Sequence, residues 1–277
     1  QLVLARVHSD DGRLVGGLVG ALQRKHGMEI GIAGSGNMAY RLVPALQHVG
    51  LRVGQIWNRS QNSDLATKYQ LKMCTQPEDM EANMLFICVS DDAITEVAEK
   101  FKNFKGTVVH TSGSVSSAVL KSFKHYGVMW PVQTMTRQGR ISFEKIPLCI
   151  TTSDADTQQF LAQVAGMLSD RVYPMNDEQR LRVHLTAVMT NNFMNHLAIV
   201  SRDYLQKNKL DYEIIVPLIR TTLEKITQQP YNFEQTGPAQ RDDQRVIQTH
   251  LNLLENDEPL KKLYQIITES IQSHAHH

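Results

Sequence analysis

The sequence predicts an α/β domain followed by an all-α domain. From residue 28 to about residue 152, short apolar runs alternate with helical stretches, a pattern typical of parallel strands joined by crossover helices. Beyond that point the segments are long and have helical periodicity, glycine is sparse, and strand signals nearly vanish. We therefore divide the chain into an N-terminal extension at 1–27, an α/β domain at 28–152 and a helical domain at 153–277.

The composition of the chain excludes several function classes. The chain has 277 residues, of which 42% are hydrophobic and 21% charged, and this suffices for one sizeable core or two moderate ones. Its formal net charge is only +1, and the sequence has no block of basic residues that would bind nucleic acid. We therefore expect a small-molecule partner. Its cysteines, Cys74, Cys88 and Cys149, stand far apart, without a C-x-x-C motif or a histidine pair at zinc spacing. They predict buried thiols in a reducing cytoplasm and no metal site.

The first 27 residues resemble neither a signal peptide nor a membrane anchor. The apolar stretch LVGGLVGAL at 14–22 is too short to span a bilayer, and the segment before it is mixed in charge. Because Met28 stands directly before the first predicted strand, we expect residues 1–27 to be an upstream or non-native extension. The alternative is that they are a native part of the protein. We expect the last histidines of the sequence to belong to a frayed tail rather than to a metal site: His274, His276 and His277.

The hydrophobic pattern predicts the individual strands and helices. Strands are expected at 29–33, 53–57, 71–74, 84–89, 107–110, 127–130 and 147–151. The run MLFICV at 84–89 is apolar throughout, which is typical of a strand covered on both faces. Helices are expected at 37–48, 155–168, 177–206, 212–228, 238–254 and 258–272.

A glycine motif stands between the first predicted strand and the first predicted helix. GSGNMA at 34–39 has the G-x-G-x-x-A spacing of a dinucleotide-binding turn, and its β-α-β context is the one that this motif requires. Gly34 allows the sharp turn, Gly36 lets the backbone approach a pyrophosphate, and Ala39 permits close helix–strand packing. The sequence therefore predicts a Rossmann fold with the cofactor at Gly34, Ser35, Gly36, Asn37 and Met38. The alternative is a glycine turn that binds nothing.

The end of the second strand indicates which dinucleotide binds. An acidic residue there would accept hydrogen bonds from the ribose hydroxyls of NAD, but the sequence reads Trp57, Asn58, Arg59, Ser60. Arg59 can pair with a 2′-phosphate while Asn58 and Ser60 donate hydrogen bonds, which favours NADP(H) over NAD(H). The alternative interpretation is a solvated loop arginine.

Two later loops follow strands at the same predicted edge of the sheet. In CVSDDAI at 88–94 we expect Asp91 or Asp92 to cap a helix, and the loop to border the cofactor ribose through Val89, Ser90 and Ile94. In HTSGS at 110–114 we expect Ser112 and Gly113 to present donors to a substrate. For both loops, a purely structural capping role is an equally good interpretation.

The helix predicted at 177–206 carries polar residues among many apolar ones. His184, Asn191 and Asn195 are separated by nearly whole turns and share a stripe, and Asn192 lies to one side. We predict His184 as a proton donor, Asn192 and Asn195 as further catalytic residues, and Asn191 as a substrate contact. The alternative is a hydrogen-bonded histidine between domains.

A second polar cluster lies at TGPAQRDD, residues 236–243. Gly237 and Pro238 are expected to begin a helix with Arg241 in its first turn, where its guanidinium can clamp a substrate carboxylate. An ion pair between Arg241 and Asp243 that fixes the loop is an equal alternative. Further substrate hydrogen bonds are expected from two residues after the sixth strand: Gln133 and Thr134.

Together these motifs resemble a known group of enzymes. MEIGIAGSGNMA with NRS after the second strand is similar to the pyrroline-5-carboxylate reductase, hydroxyisobutyrate dehydrogenase and ketopantoate reductase superfamily. CVSDDAI, HTSGS, WPVQTMT, HLTAVMTNNFMNHL and TGPAQRDDQRVIQTHLNLL resemble a Rossmann-like NADP-dependent oxidoreductase family with a C-terminal helical domain of unknown function. The resemblance covers residues 28–273. One departure is Trp130, which stands where the family usually has a histidine before the proline.

The resemblance implies an NADP-dependent oxidoreductase that transfers a hydride between NADPH and a small carbonyl or imine. It implies a 2-oxo acid such as ketopantoate, or a cyclic imine, as the substrate, and related enzymes carry a lysine acid on the helix where this chain has His184. We expect a cytoplasmic homodimer formed through the C-terminal helices, with no membrane or nucleic-acid partner. A nucleotide-binding redox sensor or regulatory protein without turnover is the alternative, because a fold alone does not establish a function.

Overall fold

The computed structural model of the chain describes residues 27–60, 63–138, 142–228 and 234–275. Nearly all of the predicted N-terminal extension, and the last two histidines, lie outside these ranges. Packing divides the chain into two units, the first ending at Met189 and the second beginning at Thr190.

Eight strands of the first unit form one sheet in the order β3-β2-β1-β4-β5-β6-β7-β8. They are β1 Glu29–Ala33, β2 Arg52–Trp57, β3 Lys72–Cys74, β4 Met84–Ile87, β5 Thr107–His110, β6 Tyr126–Pro131, β7 Leu148–Thr152 and β8 Val172–Pro174. Every neighbouring pair is parallel except β6 and β7, which are antiparallel. The first six strands have the Rossmann order, which confirms the predicted fold class.

The described residues contain nine α-helices. They are α1 Asn37–His48, α2 Asp64–Tyr69, α3 Ile94–Lys100, α4 Ala155–Leu168, α5 Asp177–Ala187, α6 Met194–Lys207, α7 Val216–Gln228, α8 Gln244–Leu253 and α9 Glu258–Ala275. Helix α1 has the predicted bounds, because its apolar residues repeat with helical period over its whole length.

Four helix predictions were wrong in their bounds. The helix expected at 212–228 begins only at Val216, and the helix expected at 258–272 extends to Ala275. The helix expected at 177–206 is interrupted by a π-helical turn at Val188–Phe193. The helix expected from residue 238 begins only at Gln244. Asp242 has a φ of 54°, which breaks the helical path, and the Asp243 carboxylate then caps α8 by accepting from the Val246 N–H at 3.2 Å.

Apolar clusters cover both faces of the sheet. In β4, Met84 and Phe86 pack into the cluster that contains residues of α1 and α4, whereas Leu85 and Ile87 pack into the cluster that contains residues of α3. Alternate residues of a strand point to opposite faces, so an entirely apolar strand needs cover on both sides. Each of these side chains is fully buried, which stabilises the fold by about 1.5–3 kcal/mol per residue.

The sheet continues beyond the predicted domain boundary at residue 152. Strand β8 pairs in parallel with β7, and Leu161 and Val164 of α4 are fully buried in the core of the sheet. Because this helix and this strand belong to the sheet layer, the first packed unit extends to Met189. The division into a cofactor domain and a substrate domain stays a prediction.

The second unit consists of helices with little buried apolar surface. In α6 and α7, all of whose residues are described, no residue is buried. Within this unit His250 Nδ1 lies 2.8 Å from the Tyr264 hydroxyl, which joins α8 to α9. Gln272 of α9 also donates to the Asp242 carboxylate at 2.7 Å. These contacts hold α9 against α8 and against the turn that precedes α8.

Within the described residues, no helix combines the length and apolarity needed to cross a membrane.

Candidate functional site

The glycine turn lies at the point where the strand order of the sheet reverses. Gly34 follows β1, and its N–H donates to the Trp57 carbonyl at the end of β2 at 2.9 Å. Its φ of +109° is a conformation that favours glycine, and a Cβ atom there would overlap the carbonyl oxygen of Cys88. The turn is therefore held tightly between β2 and β4, where open α/β sheets bind their ligands.

The next part of the turn is open. Gly36 precedes α1 with φ −75° and ψ −173°, and no side chain caps the helix. A Cβ atom at Gly36 would meet the Cys88 carbonyl oxygen only at 3.8 Å, an ordinary contact distance. The first N–H groups of α1 are thus left for an anion, because a helix start without a side-chain cap has unsatisfied donors. Ala39, by contrast, is fully buried against the sheet, as the motif predicts.

The loop after β2 places an exposed arginine near the loop after β4. The Asn58 amide donates to the Ser60 hydroxyl at 2.9 Å, and Arg59 between them is exposed. The pKa of Asp92 is held below its usual range, mainly by a hydrogen bond from Ser90 and to a smaller degree by the charge of Arg59. Because β2 and β4 are both parallel neighbours of β1, the two predicted cofactor loops lie at the same edge of the sheet.

The loop after β4 differs in detail from the prediction. A 3₁₀ turn begins at Asp91, so Ser90 rather than Asp91 or Asp92 occupies the capping position. The Asp91 carboxylate instead accepts from the Ser114 hydroxyl at 2.5 Å, which ties this loop to the loop after β5. Ile94 is 1% exposed and packs in the core, so only its backbone is available to a cofactor. Its apolar side chain serves the α3 interface.

The loop after β5 is fixed by its own serine. The Ser112 hydroxyl accepts from the N–H groups of Ser114 and Val115, both at 3.1 Å, and the residue is 7% exposed. A hydroxyl that already accepts two backbone hydrogen bonds holds the loop conformation. These contacts favour the structural interpretation of Ser112 that the sequence left open.

Gly113 lies against two aromatic rings. A Cβ atom there would stand 2.5 Å from Trp130 Cε2 and 2.6 Å from His184 Cδ2. The rings of Trp130 and His184 are 5.4 Å apart between centroids, with 57° between their planes. Both side chains are half-buried. The structure thus brings Gly113 and His184 together, two of the residues that the sequence predicted for the site.

Arg180 is a buried charged residue that the sequence analysis missed. It is 1% exposed, its Nε donates to the Gly113 carbonyl at 3.3 Å, and its Nη1 donates to the Thr151 hydroxyl at 2.6 Å. Nη1 also lies 2.7 Å from an oxygen of Asp177, one helical turn earlier. An acidic and a basic residue at i and i+3 are typical of a solvated helix surface. Nothing in the sequence therefore indicated that Arg180 is buried. Arg180 fixes the loop that carries Gly113.

The Asp177 carboxylate contacts both Arg180 and the residues that follow Gly113 in the loop after β5. It accepts hydrogen bonds from the Ser116 hydroxyl at 2.6 Å and from the Ser117 N–H at 3.0 Å. Burial acts to raise the pKa of Asp177, but these hydrogen bonds and the charge of Arg180 together hold it below its usual range. The ionised form is therefore the one that the fold requires.

His110 lies at the end of β5, fully buried. Its Nδ1 accepts from the Ser112 N–H at 3.2 Å, and its Nε2 makes no hydrogen bond of normal geometry with the described part of the chain. Burial, together with the nearby charge of Arg180, lowers the pKa of His110 to about 4. This histidine is therefore neutral at pH 7 and supports the loop that holds Ser112 and Gly113.

The predicted asparagines begin the second unit. Asn191 and Asn192 lie in the π-helical turn and Asn195 in α6, all three exposed, and the Asn191 amide donates to Asn192 Oδ1 at 3.3 Å. Their placement on one stripe with His184 assumed an unbroken α-helix, and a π-helical turn does not keep that spacing. Such turns are frequent at functional sites.

The remaining predicted substrate residues are exposed. Arg241 stands in the turn before α8 and forms no ion pair with Asp243 or with any other described residue. Gln133 and Thr134 follow β6, and the Gln133 side chain accepts from the Thr134 N–H at 3.3 Å. The Asp243 carboxylate instead accepts from the Val246 N–H, so the structure gives no support to the ion-pair alternative for Arg241.

The cysteines are free and buried, as predicted. Burial raises the pKa of Cys88 to about 12, so this thiol beside the glycine turn stays protonated and is not a nucleophile. In the described ranges, no three His, Cys, Asp or Glu side chains lie close enough to hold a metal ion.

The C-terminal half of the sequence matches a known protein domain. Residues 146–271 match the domain of unknown function DUF2520. No curated protein matches the chain. Among solved structures, a candidate NADP oxidoreductase from Bacteroides fragilis has 34% identity and a TM-score of 0.79, over 89% of this chain and 98% of that chain. The chain belongs to this NADP oxidoreductase family.

More distant structures share the fold of the NADP oxidoreductase family. An imine reductase from Myxococcus stipitatus, solved in complex with NADP⁺, has 14% identity and a TM-score of 0.59, over 90% of this chain and 93% of that chain. A pyrroline-5-carboxylate reductase from Coxiella burnetii has 15% identity and a TM-score of 0.53, over 89% of this chain and 96% of that chain. At such identities the likeness shows the fold alone, which confirms the resemblance expected from the motifs.

Proposed function

We propose that this family member binds NADP(H) at the glycine turn and transfers a hydride between NADPH and a small carbonyl or imine. The observation that carries the proposal is the turn itself, which combines a tightly held Gly34 with an open Gly36 at the switch point of the sheet. Membership in the NADP oxidoreductase family supports it.

The residues around the turn fit a dinucleotide phosphate. The start of α1 has no side-chain cap, and Arg59 on the neighbouring loop is exposed. A 2′-phosphate suits this loop because no carboxylate stands at the end of β2 to repel it. Under this proposal the cofactor contacts are Gly34, Ser35, Gly36, Asn37, Met38, Asn58, Arg59, Ser60, Val89, Ser90 and the backbone of Ile94.

His184 is the proposed proton donor. NADPH, when bound, supplies the hydride, and the protein must supply a proton to the oxygen or nitrogen of the reduced group. His184 is half-buried, its ring packs near Trp130, and one of its ring carbons lies beside Gly113. Its imidazole ring makes no hydrogen bond with other described residues, so the ring nitrogens are available for a substrate. Asn192 and Asn195 are proposed to assist it.

A carboxylate-bearing substrate suits the remaining residues. Arg241 is exposed and unpaired among the described residues, and a guanidinium group binds a carboxylate through two parallel hydrogen bonds. We propose that the substrate is a 2-oxo acid such as ketopantoate, or a cyclic imine. Contacts to it are proposed for Gly113, Gln133, Thr134, Asn191 and Arg241, and Ser112 is proposed to support them by fixing the loop that carries Gly113.

A homodimer formed through the C-terminal helices is part of the proposal. Large apolar side chains of the second unit are exposed, including Ile214 at 70% and Leu218 at 68%. Such surfaces in a helical unit are typical of an interface with another chain. The buried free cysteines suit a reducing compartment, so we place the enzyme in the cytoplasm.

The proposal is tested by following nicotinamide absorbance while the protein is incubated with NADPH and pooled 2-oxo acids and cyclic imines. Oxidation of NADPH only when 2-oxo acids, or only when cyclic imines, are added supports the proposal and identifies the substrate class. Tight binding of NADPH without oxidation by any substrate would instead favour a redox sensor. Equal affinity for NADPH and NADH would contradict the choice of cofactor.

A further inference from the structure

A loop outside the Rossmann motif places an arginine against the glycine turn. Arg137 follows β6, and its Nη2 donates to the Ser35 carbonyl at 3.0 Å. Ser35 stands between the two glycines of the turn. A guanidinium group thus lies where the cofactor phosphates are proposed to bind, although residue 137 is about 100 positions away in sequence.

The same guanidinium packs on the first turn of α1. Its Cζ lies 4.8 Å from the centroid of the Tyr40 ring, and its Nη1 lies 3.8 Å from an Asp64 oxygen. The side chains of Arg137 and Asp64 are 50% and 62% exposed, and ion pairs with such exposure contribute little. Since an arginine has five N–H donors, Arg137 keeps donors for another acceptor.

The backbone on both sides of Arg137 is fixed by a second arginine. Arg41 of α1 donates from Nε to the Thr136 carbonyl and from Nη2 to the Gln138 carbonyl, each at 2.5 Å. These charge-assisted hydrogen bonds bracket residue 137. Arg137 is therefore held in place before any ligand arrives, which lowers the entropy cost of binding one.

We infer that Arg137 is a second cofactor-binding arginine, which holds a phosphate group of the dinucleotide against the glycine turn. The inference rests on the proposed function, and it makes Arg41 a positioning residue that acts through the loop. The guanidinium fork matches phosphate oxygens, and the positive end of the α1 dipole attracts the same group. Both the pyrophosphate and the 2′-phosphate have this chemistry.

The test is a fluorescence titration of the full chain with NADPH and with NADH. Arg137→Gln should weaken binding about tenfold, a typical loss for a charge-assisted hydrogen bond, and Arg137→Lys should lose less because it keeps the charge. Losses for both cofactors place Arg137 at the pyrophosphate, and a loss for NADPH alone places it at the 2′-phosphate. Unchanged affinity for both cofactors overturns the inference.

Arg171 offers a matched control. Its side chain is 54% exposed and lies 3.8 Å from Asp170, much as Arg137 lies from Asp64. Arg171→Gln should bind both cofactors as the wild type does. If the wild type binds neither cofactor, the proposed function itself fails. If the wild type binds NADPH and the Arg137→Gln variant binds it equally well, only the inference about Arg137 fails.

A double-mutant cycle tests the role of Arg41. If Arg41 acts through Arg137, the Arg41→Gln variant should lose affinity for NADPH, and the double variant should bind no more weakly than Arg137→Gln alone. Independent, additive losses would overturn the positioning role. Thermal unfolding of each variant shows whether the fold itself is retained. A general loss of stability would not make the affinity losses of the two single variants non-additive in the double variant.

Discussion

At the scale of single residues, buried polar groups hold the loops of the candidate site. Arg180, which is 1% exposed, joins Gly113 to Thr151 and Asp177, and His110 accepts from the loop backbone at Ser112. Breaking a buried charge pair leaves an uncompensated charge, so such contacts fix a loop more firmly than surface pairs do. The same burial makes His110 sensitive to pH.

We expect His110 to make the stability of the protein depend on pH. Its pKa is lowered from 6.5 to about 4 by burial, so the unfolded chain binds a proton at a pH where the folded chain does not. The free energy of unfolding should be undiminished above pH 6.5 and should fall by about 3 kcal/mol between pH 6.5 and 4.

Urea unfolding at several pH values checks this expectation. His110→Asn keeps an acceptor for the Ser112 N–H but cannot titrate, so its unfolding free energy should fall less steeply across the same pH range. Equal slopes for the variant and the wild type would show that His110 does not control this dependence.

His184 is the residue on which the proposed chemistry depends. His184→Gln should lower kcat/KM for the preferred substrate by about 100-fold or more, since general acids contribute roughly 10²–10⁴ to the rate. His48, exposed at the end of α1, is a control, and His48→Gln should keep full activity. Undiminished turnover of His184→Gln in the NADPH assay would remove this histidine from the mechanism.

At the scale of elements, the sequence predicts best where local pattern and tertiary packing agree. In β1, α1 and β2 the glycine motif, the strand pattern and the helical period point to the same structure, and α1 has the predicted bounds. Strand β8 was missed because it has three residues and ends in proline. Its place is set by pairing with β7, which no local pattern encodes.

The candidate site was predicted only in part for the same reason. The glycine turn and His184 follow from local motifs, whereas Arg180 and Arg137 act through contacts with residues far away in sequence. The π-helical turn at Val188–Phe193 also has no signature in the apolar period. Local sequence therefore indicates the cofactor turn better than it indicates the residues that support it.

Two glycines of the first unit test the packing of the site. A Cβ atom at Gly113 would meet ring atoms of Trp130 and His184 at 2.5–2.6 Å, so Gly113→Ala should destabilise the fold by about 1–3 kcal/mol and change tryptophan fluorescence. Gly166 in α4 has no atom within 4 Å of such a Cβ, so Gly166→Ala should stabilise by about 0.5–1 kcal/mol. Thermal unfolding compares the two, and equal shifts would contradict the packing at Gly113.

At the scale of the whole molecule, the second unit is poorly buried in a single chain. Besides Ile214 and Leu218, Leu253 is 66% and Ile266 is 64% exposed. The proposed homodimer rests on these exposed apolar side chains, because homodimers bury surfaces of this kind.

Sedimentation velocity tests the dimer. The wild type should sediment as a dimer at micromolar concentration, and Leu218→Glu should shift it towards monomer because a charge would be buried in the interface. Lys121→Glu, an exposed change in the first unit, should leave the dimer intact. A monomeric wild type would show that the exposed apolar residues serve another purpose.

The affinity of the Gly36→Ala variant for NADPH tests the proposed cofactor site most directly. The protein itself has room for the added methyl group, whose nearest neighbour is the Cys88 carbonyl oxygen at 3.8 Å, so unfolding free energy should change by no more than about 1 kcal/mol. The pyrophosphate, however, must approach the backbone at this position, and we expect the dissociation constant for NADPH to rise at least about tenfold. If Gly36→Ala binds NADPH as tightly as the wild type, the dinucleotide does not lie on this turn.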